Sequence, residues 1–180
     1  MKYRVLKWKG VTLAAVATLG LVFAACSGSA EREGGAATRD LNDPVALANR
    51  ALSVLSYSPN GQGWAYKATG VSGDFTTWAS NNKDKIQQAL DQVGDGYVLQ
   101  VTGHTCNIGP RTPPGDGRRG NMFYSEQRAR SVYNALVTAG VPANRMTVKG
   151  VADTEPLPGA PRDGQAQRRV TFQIVARPAQ

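Results

Sequence analysis

At 180 residues, 41% hydrophobic and 19% charged, the chain has room for one globular domain with flanking segments, and its composition is not that of a disordered protein. Its formal charge of +8 falls to about +4 once four basic residues of an expected leader are set aside, a mild excess that suits an acidic polymer or anionic surface without demanding either. The sequence holds no internal repeat, coiled-coil heptad, phosphate-binding glycine loop or metal-ligand cluster.

The leader comes first. Residues 2 to 9 include Lys2, Arg4, Lys7 and Lys9 with no acid, and residues 11 to 25 are an uncharged apolar run. A membrane-crossing helix needs about 20 such residues, so residues 1–25 have the proportions of a signal peptide. The run ends in Phe23-Ala24-Ala25-Cys26, and small residues before a cysteine resemble a bacterial lipobox, in the looser form seen in spirochaetes. That resemblance implies diacylglycerol on the Cys26 thiol, cleavage before it and acylation of the new amine, palmitate being the expected kind of chain. Several chains anchor a protein stably where one is marginal. An ordinary secretory signal or a retained single-span anchor are the alternatives. With Cys26 lipidated, Cys106 is the one free thiol, which excludes an internal disulfide and a dithiol redox site and leaves only a disulfide between chains.

Residues 26–40 lack large apolar side chains and read as a lipidated amino terminus and flexible tether. Residues 41–62 read as a helix and a turn. Asp43 is placed to cap the helix and Pro44 to start it; Val45, Leu47, Ala48, Ala51, Leu52 and Leu55 form its apolar face, and Pro59 to Gly63 ends it. Residues 63–176 form the main domain, followed by a tail, 177–180. Trp64 to Val71 is a candidate strand, and Ser72-Gly73-Asp74 a turn. Phe75 and Trp78 are expected in the core, and Ser80 as the cap of a helix striped by Ile86, Ala89, Leu90 and Val93. Tyr97 to Gly103 is short, β-branched and closed by glycine, hence a strand. Gly120 to Gly140 changes period, with Ala129, Val132, Tyr133, Leu136 and Val137 on one helical stripe and Gly140 at the left-handed stop. Arg145 to Gly150 and Arg168 to Val175 alternate as strands, the second aligning Val170, Phe172 and Ile174, and residues 152 to 167 are loop. This order predicts an α/β two-layer sandwich, strand-helix-strand-helix-strand-strand, with helices on one side of a mixed sheet.

The run Thr102-Gly103-His104-Thr105-Cys106-Asn107-Ile108-Gly109 carries a resemblance. So do Asn121, Tyr124-Ser125, Arg128-Ala129, Val132 and Leu136 at their intervals, the Arg145 strand, and Gln167-Arg168-Arg169-Val170. Together they resemble the OmpA-like peptidoglycan-associated domain, over roughly Gly63 to Val175, and most resemble its spirochaetal outer-membrane lipoproteins. The resemblance implies non-covalent capture of the peptide stem of peptidoglycan through its diamino acid, diaminopimelate or ornithine. In the family an aspartate directly after the glycine-histidine-threonine helps hold the ligand's ammonium, and the arginine at Arg128 binds its carboxylate. Loop backbone and the helix's amino end complete the pocket. It implies a peptidoglycan-binding set of Gly103, His104, Thr105, Cys106, Asn107, Asn121, Arg128 and Arg168, with Arg168 supporting the site from the last strand. A guanidinium matches a carboxylate with two parallel hydrogen bonds, and free N–H groups at a helix start favour an anion.

The chain departs from that pattern at Tyr124, which replaces a leucine, at Gln167, which replaces an asparagine, and most at Cys106, where a neutral thiol stands in place of the acid. Asp116 is a candidate replacement. Taken without the resemblance, Arg128 is a surface arginine lying over the sheet and His104 a structural group at a strand end. Catalysis by His104 and Cys106 lacks a third orienting group, and one histidine with one thiol falls short of a zinc site. The three arginines of residues 110–120 lack aromatic interleaving, so no nucleic-acid partner is expected. No cofactor and no catalytic activity are expected. The sequence therefore predicts a lipid-anchored, non-enzymatic peptidoglycan-binding protein of the outer membrane, facing the periplasm or partly the cell surface. The alternative is a surface-exposed interaction or adhesin-like module, with host or envelope protein partners, on the same scaffold.

Overall fold

Helix α1 (Pro44–Leu52) starts where the Asp43 carboxylate accepts a hydrogen bond from the Val45 N–H at 3.0 Å, and Pro44 occupies a first-turn position that needs no donor. The computed structural model describes residues 42–179; the expected signal peptide, Cys26 lipidation site and tether lie outside the described residues. The apolar face of α1 is narrower than its sequence suggests. Ala48 and Leu52 are buried while Leu47 and Ala51 are exposed.

After α1 the chain forms β1 (Ser56–Tyr57), α2 (Phe75–Val93), β2 (Tyr97–Gly103), α3 (Asn121–Thr138), β3 (Met146–Gly150) and β4 (Val170–Ala176). The sheet order is β1-β4-β2-β3, with β2 and β3 parallel and the other two pairs antiparallel. A parallel pair needs a crossover, which α3 supplies. Leu99 and Val101 of β2 and Val170, Phe172 and Ile174 of β4 share one core with Leu52, Ile86, Leu90, Val132 and Leu136 of the three helices. The helices thus cover one face of a mixed sheet, as the sequence predicts.

The first strand is displaced from its expected position. Trp64 to Val71 is not extended: Trp64 N–H reaches the Arg168 carbonyl at 3.1 Å, but then Ala68 N–H turns back to the Ala65 carbonyl and Lys67 takes a φ of 62°. Instead Ser56 and Tyr57 pair with Thr171 and Val170. Beyond this two-residue strand the Asn49 amide completes the β4 edge, accepting from Ile174 N–H at 2.6 Å and donating to its carbonyl at 3.1 Å. Ser80 is also not a cap. Helix α2 begins at Phe75, five residues earlier, and the Ser80 hydroxyl donates to the Thr76 carbonyl within it. Arg145 and Arg168 precede their strands, and Val137 lies on the exposed side of α3.

Two features fix the elements around β2. Tyr57 meets Trp64 and Phe75 edge-on with ring centroids 5.4 and 5.0 Å apart, and its hydroxyl donates to Asp74, which also accepts from the Asn60 N–H and the Ser72 hydroxyl. On the other side α3 presses on two glycines paired in the sheet, Gly103 and Gly150. A β-carbon on Gly103 would stand 1.9 Å from the Ser125 carbonyl oxygen, so only glycine allows this approach. The Ser125 hydroxyl then accepts from Ala152 N–H.

Candidate functional site

Where β2 ends, the chain passes from Gly103 through His104 to Cys106 beneath the first turns of α3. The His104 N–H donates to the Arg169 carbonyl, the Thr105 N–H to the Ala152 carbonyl, and the His104 Nε2 lies 2.8 Å from the Thr171 hydroxyl. Burial, and then the nearby Arg169, push the His104 imidazole down from 6.5 to about 3, so it is neutral and structural. Arg128, projecting from α3, is 1% exposed. Its Nε donates to the Ala68 carbonyl at 2.9 Å and its Nη1 to the His104 carbonyl at 3.1 Å, while its guanidinium carbon sits 5.7 Å from the Trp64 ring centroid. Arg168 enters from the approach to β4. Its Nε donates to the Trp64 carbonyl at 2.5 Å and its Nη1 reaches the Cys106 Sγ at 3.2 Å.

Arg128 and Arg168 border a cavity of about 290 Å³, also lined by Thr105, Cys106, Asn121 and Tyr124, and by Lys67, Arg118 and Arg119 at its mouth. No aspartate or glutamate lines it. Neither Arg128 nor Arg168 forms an ion pair among the described residues. Burial first, and then the adjacent Arg168 charge, lower Arg128 from 12.5 to about 10, which leaves it cationic at neutral pH. Two buried like charges without a counter-ion are costly, and an anion in the cavity relieves that cost. The Thr105 hydroxyl, buried and without a partner, adds a neutral group to the same wall.

Of the expected site residues, the structure brings Thr105, Cys106, Asn121, Arg128 and Arg168 to the cavity and leaves three outside its lining. Gly103 lies beneath Ser125, His104 is buried behind the wall, and Asn107 is exposed, its N–H donating to the Arg162 carbonyl. Asp116 also stands apart, bound to Arg118 at 2.7 Å, which holds its carboxyl below the usual range. The amino end of α3 is less open than expected, because the Asn121 and Met122 N–H groups donate to the Pro110 and Arg111 carbonyls. Asn121 does not cap the helix; its amide spans the Cys106 and Gly109 carbonyls and pins the loop. Tyr66, Lys67, Arg118, Arg119 and Tyr124 were not singled out from the sequence as site residues. Tyr124, where the related pattern has leucine, carried a signal; Lys67 did not, because its segment reads as a strand.

The sequence model of the OmpA family matches residues 70–169. Outer membrane protein A of Shimwellia blattae is 34% identical over 106 residues, 54% of this chain and 41% of that protein. The protein of the same name from Klebsiella aerogenes is 32% identical over 103 residues, 52% of this chain and 27% of that protein. The chain thus matches less than half the length of these relatives. Among solved structures, the peptidoglycan-associated lipoprotein from Burkholderia pseudomallei superposes with a TM-score of 0.51 at 18% identity, covering 74% of this chain and all of that one. The periplasmic domain of Helicobacter pylori MotB gives 0.51 at 18% identity over 68% of this chain and 81% of its own. At such identities the likeness is one of fold.

Proposed function

This chain belongs to the OmpA family, and from that premise we propose that it is a non-enzymatic envelope protein that binds peptidoglycan non-covalently and links the outer membrane to the cell wall. The observation that carries the reading is Arg128: a buried guanidinium without a counter-ion, fixed by two backbone carbonyls, at the wall of a cavity that no acid lines. A stem-peptide carboxylate supplies the missing charge. The proposed stem bears diaminopimelate or ornithine, and Thr105, Asn121, Arg168 and Cys106 shape the space around it. Lipid on Cys26 and a flexible run to residue 40 would hold the domain, 63–176, within reach of the wall. Joining two large bodies raises the local concentration of each, so a modest affinity suffices.

A second reading rests on Cys106. The thiol occupies the position where the family's acid stands, so a scaffold reused as a surface module for host or envelope proteins would lack wall affinity. Co-sedimentation of the full chain with purified peptidoglycan sacculi separates the two. The wild-type protein should pellet, and Arg128→Lys, which retains charge but loses the forked geometry, should pellet about tenfold less at matched concentration. A wild-type protein that stays in the supernatant rejects wall binding in favour of the second reading.

A further inference from the structure

An ammonium needs acceptors or a carboxylate, whereas a carboxylate needs donors or cations, so the groups around the cavity decide which part of a zwitterion is recognised. The cations are Lys67, Arg118, Arg119, Arg128 and Arg168. The acids outside the lining are already paired, Asp116 with Arg118 of the mouth and Asp153 with Arg111 and Arg162. Backbone carbonyls are the other acceptors an ammonium uses, and several of those around the cavity already hold one of the protein's own donors. His104 and Ala68 accept from Arg128, Trp64 from Arg168, Cys106 and Gly109 from Asn121, and Pro110 and Arg111 from the start of α3. The hydroxyls of Thr105, Tyr66 and Tyr124 and the amide oxygen of Asn121 are neutral, so the fixed charges set the sign of the site.

We infer that this cavity reads its ligand as an anion: it takes a carboxylate and offers the ligand's side-chain ammonium no counter-charge. This rests on the peptidoglycan reading and narrows it, since a diamino acid is then recognised only through a carboxylate at its free end. A side chain ending in diaminopimelate's amino acid group carries one; a side chain ending in ornithine's amine does not. A bare ammonium also meets two buried guanidiniums of like sign.

The test measures binding of the full chain to three synthetic stem tripeptides ending in diaminopimelate: unmodified, acetylated on the side-chain amine, and amidated on the side-chain carboxylate. Sacculus co-sedimentation runs in parallel. Acetylation should change Kd by less than about threefold, and amidation should weaken binding at least about tenfold. A tenfold loss on acetylation, or indifference to amidation, overturns the inference while sacculus binding leaves the wider reading standing. Failure of the wild-type chain to bind either sacculi or tripeptides removes the wider reading, and the inference with it.

Discussion

Arg168 Nη1 stands 3.2 Å from the Cys106 sulfur, with Arg128 close enough to feel its charge, so the thiol sits where a carboxylate would be bound by at least one guanidinium. Cys106→Asp should therefore raise the urea midpoint, by about 1.5 to 3 kcal/mol of stability if a charge-assisted bond forms. A lower midpoint would refute the view that these arginines lack a counter-charge. His104 makes a second prediction. Its folded value, about 3, lies below the ordinary 6.5, so the unfolded chain takes up the proton first. The stability it contributes is complete above pH 6.5 and is lost on acidification towards pH 3, at up to about 1.4 kcal/mol per unit. Asp74, lowered from 3.8, adds its loss only below that value, so urea melts between pH 7 and 4.5 isolate the histidine. A His104→Gln variant should show a flatter dependence over that window. The chemistry of Arg128 was legible in its motif, but its burial was not. Its wet or dry state is decided by the Ala68 and His104 carbonyls, which come from segments 60 and 24 residues away.

Helix α3 can lie close to β2 and β3 because both strands end in glycine at the point of contact. Gly103→Ala would drive a methyl into the Ser125 carbonyl, and neither backbone can yield without displacing the helix. The expected cost is about 1 to 3 kcal/mol or more, read as a lower midpoint in chemical denaturation. At the opposite edge Asn49 does the work of a missing strand residue. Asn49→Ala removes both its bonds to Ile174 and should cost about 1 to 3 kcal/mol while exposing a pairing edge, so light scattering at raised concentration should increase with it. The strands and helices with clean periods were readable: Val170, Phe172 and Ile174 alternate inward, and Gly140, at φ 96°, stops α3. Trp64 to Val71 was misread because its apolar residues resemble a strand while its carbonyls serve side chains. Trp64 accepts from Arg168, Ala68 from Arg128 and Gly70 from the Trp64 indole, bonds that no local pattern reveals. Ser80 misled for the opposite reason, since a serine that caps so well also occurs inside a helix, bonded back to the carbonyl four residues earlier.

Between the sheet's end and α3, the cavity wall is a long loop fastened from outside. Asp153 holds Arg111 at 3.2 Å and Arg162 at 3.7 Å, joining the segment before α3 to the one after β3. Both arginines are more than half exposed, so Asp153→Ala should change stability by no more than about 1 kcal/mol. It should nevertheless speed amide hydrogen exchange in residues 107–120, and unchanged exchange would deny the clamp a role. The concentration of cations at the mouth predicts that the proposed wall binding weakens steadily as salt rises from about 50 to 500 mM, measurable by the same pelleting assay. One consequence of the paired guanidiniums reaches beyond affinity. Their mutual repulsion is built into the fold, and an occupant that neutralises it steadies the segments gripping them, at Trp64, Ala68, His104 and Cys106. On the proposed reading, the murein mesh acts as a thermal brace for the domain that grips it, and the domain melts at a lower temperature without it.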